Sequence, residues 1–417
     1  MHENEVFHIF DLNGYGQGVA RSKDGKIVFI VDGLPGDSVT IKIIEEQKRY
    51  LTATVKETLK RSEWREEPSC SHTSVCGGCQ LQGIQSGHYM KAKQSILRAK
   101  LRGILAPFRE QTITESPLFS FRNKCTLEWS AERKILSYAD LKNNQFKLKQ
   151  CIVLERQISN WINNHKNITS QLPMSGRITI KNLPDQGLVL GIKSKQTPTN
   201  LKLPEPFIAA YWIDYNKVES QGSFQWVTPP KYTLVEKIDK LVIPWHPQSF
   251  FQTNRYIAGK IFSSIKKWII DLKISSVWDL YCGTGWILHS IKDSLKFGVG
   301  FELSQHSVNI ARTVPNSPNV KFINADLPNI PQLSSAEPDC WIFNPPRKGL
   351  GKKVIQTIFN QQSTPKCLMY LSCNPESLST DLQALSKYGF KPEECQVFDM
   401  FPWTSHFEVL CLLRKSN

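Results

Sequence analysis

The stretch SVWDLYCGTGWILHSI, residues 276–291, decides the fold. It runs from an apolar strand pattern through a Gly-rich turn into a helical pattern. Gly283 and Gly285 let the backbone turn tightly and approach a ligand where a helix N-terminus points its free N–H groups. Glu302 closes the next apolar strand, FGVGFE (297–302), about 20 residues on, where an acid can bind a ribose hydroxyl pair. A dinucleotide site would want a third glycine where Leu288 stands. The acidic Asp279 and the D-L-Y-C-G-T-G pattern, with Tyr281 inside it, fit S-adenosylmethionine better. Asp326, in FINADLP (322–328), lies just past a third strand and is placed for the adenine end; a helix-capping role suits it equally.

Outward from this stretch, strands alternate with helices from about residue 231 to 417, which implies a parallel sheet with covering helices, a Rossmann-like α/β domain. Residues 1–60 read instead as short strands with Gly/Pro/Asp turns, for example GYGQGVAR (14–21), as in a small OB-like barrel. The basic last strand, QKRYLTATVKETLKR (47–61), carries charge suited to tracking a phosphate backbone. Residues 61–230 form a third segment: a cysteine cluster, a helical pattern over about 88–106 expected to pack on the catalytic domain, then strand-rich sequence.

The 417 residues exceed what one core holds, and 40% hydrophobic residues describe an ordinary globular chain. No apolar run approaches the roughly 20 residues that span a bilayer, and MHENEVFHIF lacks the features of a signal peptide. A soluble, cytoplasmic protein is expected. A net charge of +15, with eleven Trp and eleven Tyr, favours a nucleic-acid partner over a merely solvated surface. Eleven cysteines cannot all pair, so thiols or metal ligands are expected instead of a disulfide framework. No obligate protein partner is evident, and the chain reads as a monomer.

CSHTSVCGGC (70–79) sets Cys70, Cys76 and Cys79 in C-x5-C-x2-C spacing. Three thiolates this close point to a metal centre, with Cys151 and Cys125 as the nearest candidates for a fourth ligand. The asymmetric spacing leans to a 4Fe-4S cluster over zinc knuckles.

Chemistry concentrates near the C-terminus. In CLMYLSCNPESLSTDLQALSKYGF (367–390) a buried strand ends at Ser372, Asn374 caps a helix, Pro375 starts it, and Leu378, Leu382 and Leu385 form its apolar stripe. Cys373 therefore sits at the carboxyl end of a strand beside a helix N-terminus, where a reactive thiolate is favoured. CWIFNPPRKG (340–349) carries Asn344-Pro-Pro, the pattern of amine methylation, yet Arg347 stands where a base-stacking aromatic would follow. An amine needs no thiolate. The C5 carbon of a pyrimidine does, because thiolate addition at C6 makes C5 nucleophilic. A base must then remove the C5 proton, and Glu408 in SHFEVLCLLRK (405–415) is the candidate.

Together these residues resemble the RNA uridine-C5 methyltransferases that form 5-methyluridine, especially the iron-sulfur branch acting on 23S ribosomal RNA. The resemblance spans essentially the whole chain and implies a TRAM-type barrel, a cysteine-bearing central domain and a methyltransferase domain. It implies Cys70, Cys76, Cys79 and Cys151 as cluster ligands, Cys373 as nucleophile and Glu408 as base. The family's F-R-N-K and F-F-Q-x-N segments match Phe121–Lys124 and Phe250–Asn254, which implies that Gln252 contacts the cofactor. Tyr281, Gly283, Gly285, Glu302, Asp326 and Asn344 complete the implied cofactor set. Two positions depart: the family's Asn is Trp286 here, and the Asp of D-P-P-R-x-G is Asn344. Two other readings remain: an exocyclic-amine methyltransferase built on Asn344-Pro-Pro, and a catalytically degenerate iron-sulfur RNA-binding or assembly protein.

Overall fold

The computed structural model describes residues 5–101, 112–130, 132, 135–138, 146–164, 168, 170–198, 201–214, 224–315, 317–327, 330, 338–361 and 364–415. The chain divides into two compact units: residues 1–113 with 401–407, and residues 114–400 with 408–417. The division departs from the three segments expected above. Residues 61–113 fall with the barrel, and 114–230 fall with the methyltransferase segment.

In the first unit the alternating residues of Ile27–Val31 and its neighbours send every second side chain inward. The strands are β1 (Phe7–His8), β2 (Asp11–Leu12), β3 (Gly18–Arg21), β4 (Ile27–Val31), β5 (Ser38–Glu46) and β6 (Tyr50–Lys60). They form one sheet in the order β1-β5-β6-β4-β3-β2 around a core that includes Phe7, Val28, Ile30, Ile41 and Leu51. Buried Asp37 accepts from the backbone of Leu34 (2.8 Å) and Ser62 (2.9 Å) and pairs with Arg65 (2.6 Å), tying the chain beyond β6 to the sheet. Helix α1 (Ser86–Lys100) follows; the expected helix residues 102–106 lie outside the described residues. Its partner is the segment 401–407. Buried Lys93 donates to the carbonyls of Thr404 (2.8 Å) and His406 (2.9 Å) and lies over the Phe407 ring, while Trp403 donates its N–H to the Tyr89 hydroxyl.

After β7 (Ile113–Thr114), at the boundary, the second unit continues with β8 (Lys124–Ser130), β9 (Ile135–Ser137), α2 (Arg156–Asn163), β10 (Ser175–Leu183), β11 (Gly187–Ser194), β12 (Phe207–Asp214) and β13 (Phe224–Thr228). The sheet β13-β12-β11-β10-β8-β9 packs one face on α2 through Leu127, Ile158, Ile162, Ile178 and Leu190. A hairpin follows, β14 (Val235–Ile238) and β15 (Leu241–Pro244), then α3 (Arg255–Asp271). The expected α/β alternation begins at β16 (Ser276–Leu280). It continues through α4 (Trp286–Ile291), β17 (Phe297–Glu302), α5 (Gln305–Thr313), β18 (Val320–Asn324), β19 (Cys340–Phe343), α6 (Lys352–Gln361), β20 (Cys367–Ser372), α7 (Pro375–Ser386), β21 (Phe390–Phe398) and β22 (Glu408–Lys415). The sheet order is β18-β17-β16-β19-β20-β22-β21-β7. The first five strands are parallel, and β16, β19 and β20 are buried along their length, as strands covered on both faces must be.

One disulfide departs from the all-thiol expectation. The β21–β22 register sets Cys395 opposite Cys411 with Cα atoms 4.1 Å apart, and the two are bonded.

A buried ionic network ties the six-stranded sheet of this unit to the β14–β15 hairpin and to the start of α3. Glu236 on β14 is fully buried and pairs with Lys181 of β10 and with Arg255 at the start of α3 (2.6 Å). Arg255 also pairs with Glu155 and donates to the Asn182 carbonyl (2.6 Å), and Lys181 donates to the Asn123 side chain (2.8 Å). Two cations and two acids offset one another out of water. Removing one partner leaves a buried charge alone, so Glu236→Gln is expected to destabilise this unit by about 3–5 kcal/mol, read as a lower urea midpoint.

Candidate active site

The parallel strands deliver their carboxyl ends to one edge, where loops can reach a ligand. Five expected site segments gather there: Tyr281–Gly285 after β16, Glu302 at the end of β17, Asp326 after β18, Asn344–Gly351 after β19 and Cys373 after β20.

The turn after β16 owes its shape to backbone constraints. Tyr281 has φ 70° and Gly285 φ 80°, both left-handed; a Cβ on Gly285 would stand 2.6 Å from the Phe322 ring. Glu302 braces this turn: its carboxylate accepts from the N–H groups of Gly283 (3.1 Å) and Ser304 (2.8 Å). Glu302 is also the acid that the sequence places for a ribose, and a carboxylate has lone pairs for both. Tyr281 is half-buried, and burial, then the fields of Asp326, Asp381 and Glu302, push its hydroxyl pKa up. Asp279, two residues earlier, is fully buried with neither carboxylate oxygen hydrogen-bonded; burial and then Glu302 push it up to about 8. With Glu302 and Asp326 both at it, this edge suits a ligand of net positive charge such as S-adenosylmethionine.

Gln252 lies in the segment before α3, held through its carbonyl by the Asn123 side chain (3.2 Å). Asn254 caps α3 and donates to Ser116 (2.8 Å) and the Met400 carbonyl (3.1 Å). Of the adjacent phenylalanines, Phe251 is core and Phe250 is 68% exposed, the better stacking surface. Trp286, in place of the family's Asn, is buried against Phe251 and Phe262.

The β20–β22 register, Ser372 opposite Val409, brings Glu408 opposite Cys373. Glu408 is 4% exposed, and burial pushes it up to about 8, with Arg347 pulling the other way. Cys373 is half-buried. Burial, then the Glu408 carboxylate, push its thiol up to about 11, against the Arg347 guanidinium, which hydrogen-bonds it. The resting group is therefore the thiol, not the thiolate that its place at the head of α7 suggested; desolvation outweighs the helix end. The cap is as expected: Asn374 accepts from the Glu376 N–H (3.1 Å).

The cysteine cluster lies in turns between β6 and α1. Cys76 donates its N–H to the His72 carbonyl (2.7 Å), and Cys70 donates its own to Gln82 (3.2 Å). Cys151 is half-buried ahead of α2, whereas Cys125 is 1% exposed in the core, its thiol pushed up to about 12 by burial. Among the described residues no group of three or more His, Cys, Asp or Glu is arranged to hold a metal ion.

The sheet order and Gly-rich turn define an S-adenosylmethionine-dependent methyltransferase fold, and residues 9–56 match the TRAM domain. The fold resembles the solved Pyrococcus abyssi tRNA (uracil-54, C5)-methyltransferase, with a TM-score of 0.75 at 20% identity over 98% of this chain and 100% of that one. Residues 327–416 match the family described as tRNA (uracil-5-)-methyltransferase. Among similar chains are an uncharacterized RNA methyltransferase of Protochlamydia amoebophila (27% identical, 96% of this chain and 95% of that one) and a 23S rRNA (uracil(1939)-C(5))-methyltransferase of Marinomonas posidonica (26%, 99% and 96%). A 23S rRNA (uracil(747)-C(5))-methyltransferase of Pectobacterium atrosepticum is 32% identical over 47% of this chain and 52% of that one. The resemblance to RNA uridine-C5 methyltransferases read from the motifs is thus matched along the chain.

Alkylation of Cys373 by iodoacetamide, followed on its peptide by mass spectrometry, should rise about tenfold per pH unit toward pH 11. Arg347→Ala, which removes the one cation beside the thiol named here, should slow it several-fold at pH 8.

Proposed function

We propose that the protein is an S-adenosylmethionine-dependent RNA (uracil-C5)-methyltransferase acting on 23S ribosomal RNA in the cytoplasm. The observation that carries this reading is Cys373 facing buried Glu408 across β20 and β22, with Arg347 beside both. Amine methylation through Asn344-Pro-Pro would give neither the thiol nor the carboxylate a task. The ribosomal substrate is supported by the names of relatives matched over nearly the whole chain.

The target uridine, turned out of its stack, would meet the carboxyl edge of the sheet. Cys373 gives its proton to solvent water, with the Arg347 guanidinium stabilising the thiolate, and the sulfur then bonds to C6. The electrons released into the ring make C5 the nucleophile. S-adenosylmethionine, when bound, supplies the electrophilic methyl group. Gln252, Tyr281, Gly283, Gly285, Glu302, Asp326 and Asn344 are the residues that would hold it. Glu408 then takes the C5 proton, the C5 electrons re-form the ring double bond, and the Cys373 sulfur leaves. Burial suits the base to this step by bringing its pKa near working pH.

The TRAM barrel and the basic central segment would hold RNA by phosphate contacts and stacking. Functionally the chain would divide as 1–60, 61–230 and 231–417. Four thiols, Cys70, Cys76, Cys79 and Cys151, are the chemistry of a 4Fe-4S cluster, which would serve structure, since no step above moves an electron. The chain would act as a monomer.

With RNA containing 5-fluorouridine, whose C5 cannot lose a proton, a denaturation-stable protein–RNA adduct should form and vanish in Cys373→Ala. Confirmed RNA binding without any adduct would refute the reading. Turnover on ordinary RNA should rise with pH through about 8 as Glu408 ionises. Glu408→Gln should abolish that limb and cut turnover by about 10²–10⁴-fold while the adduct accumulates. Anaerobically prepared protein should carry iron and sulfide that Cys76→Ser loses.

A further inference from the structure

Asp381 lies inside α7, two turns after the nucleophile, and is 1% exposed. An acid there needs partners, and it has three. Its carboxylate accepts from the Tyr370 hydroxyl (2.6 Å) and from the N–H groups of Leu350 (2.7 Å) and Gly351 (3.0 Å). The last two belong to the loop that carries Arg347. That loop turns back on itself, Gly349 donating to the Pro346 carbonyl (2.8 Å), and Gly349 has φ 75°. A Cβ there would stand 2.4 Å from the Asp381 carboxylate, so the loop needs glycine to lie this close. A second tie runs from the head of the same helix, where the Asn374 side chain donates to the Arg347 carbonyl (3.1 Å).

We propose that Asp381 is a positioning residue that fixes the Arg347 loop to the helix following Cys373, so that guanidinium and thiol keep their registry. The two backbone N–H groups point at a charged acceptor and form the stronger class of hydrogen bond. Tyr370, from the strand that ends at Ser372, closes the acceptor from the other side. Loop, strand and helix thus meet on one carboxylate, and the nucleophile and its cation are carried by two elements bolted to it. Tyr281 of the turn after β16 lies in the field of the same carboxylate, so the cofactor edge abuts this junction. The charged groups facing the thiol are Arg347 from the loop and Glu408 from β22; Asp381 acts on it through Arg347.

The inference rests on the assignment of Cys373 and Arg347 made above, but thiol titration reads it whatever reaction the protein catalyses. The test is the pH profile of Cys373 alkylation by iodoacetamide in the full-length protein, for wild type, Asp381→Asn, Arg347→Ala and the double variant. Asp381→Asn should move the profile toward higher pH and slow alkylation several-fold at pH 8. In the double variant the effect should not add to that of Arg347→Ala, because both act through one guanidinium. Tyr370→Phe, which removes one partner and keeps the carboxylate, should fold and show a smaller shift of the same sign. A melting temperature lowered with an unchanged profile in both Asp381→Asn and Tyr370→Phe would overturn the proposal, leaving a structural acid only. So would fully additive shifts in the double variant. A coupled shift alongside failure of the 5-fluorouridine adduct would uphold the positioning and refute uracil chemistry alone.

Discussion

The second unit depends on a charge arrangement centred on the fully buried pair Glu236 and Lys181. Glu236, Lys181, Arg255 and Glu155 come from a hairpin strand, a central-sheet strand, a helix start and the residue before α2. Each alone would be costly in the interior; together they are neutral and hydrogen-bonded. Apolar residues of similar volume would hold these elements about as firmly. What the charges add is direction, because a guanidinium fork between two carboxylates admits one geometry. That geometry gives the Asn123 and Arg255 neighbourhoods a structural reason. Asn123 meets Lys181 through its side-chain oxygen and the Gln252 carbonyl through its nitrogen, so the segment bearing Gln252 is set by the same network.

At the sheet edge the governing quantity is burial, which acts on Cys373 and Glu408 in the same direction. Each is easier to keep neutral than charged, and the Glu408 carboxylate makes ionisation of Cys373 harder still. Arg347 opposes both effects and is itself exposed, so it offers charge without bearing the full desolvation cost. A resting thiol is protected from adventitious alkylation and oxidation. Reactivity then depends on the distance between one guanidinium and one sulfur, which is why the loop that carries Arg347 is tied down so thoroughly.

Much of this was legible in the chain. The α/β alternation and the Asn374 cap follow from periodicity and capping chemistry; the cap stands where it was expected, and the alternation begins at β16, after the hairpin of residues 235–244. Cys373 and Glu408 were named from strand ends, but that they face each other needed the register of β22 on β20, which no local pattern encodes. The upward push on the Cys373 thiol was not legible, because a helix end is visible in sequence and desolvation is not. The unit boundaries were missed because Phe401–Phe407, between two strands of one sheet, packs with α1 some 300 residues earlier. Asp381 did leave a trace: it falls at the i+3 place of the stripe formed by Leu378, Leu382 and Leu385, an acid on an apolar face.

The departure at Asn344 gains meaning from its surroundings. Asp279 sits opposite Ile342 in the β16–β19 register, and Asn344 follows two residues later, just past the end of β19. Asp279 already lacks a hydrogen-bond partner and already feels Glu302. An aspartate at 344 would add another negative charge to this edge and push its neighbours further toward protonation. The amide keeps an acceptor of the same shape without that repulsion. The charge that attracts a cationic ligand is thereby concentrated in Glu302 and Asp326, around the turn after β16, while the Asn344-Pro-Pro segment is left to shape the wall and to lead the chain into Arg347.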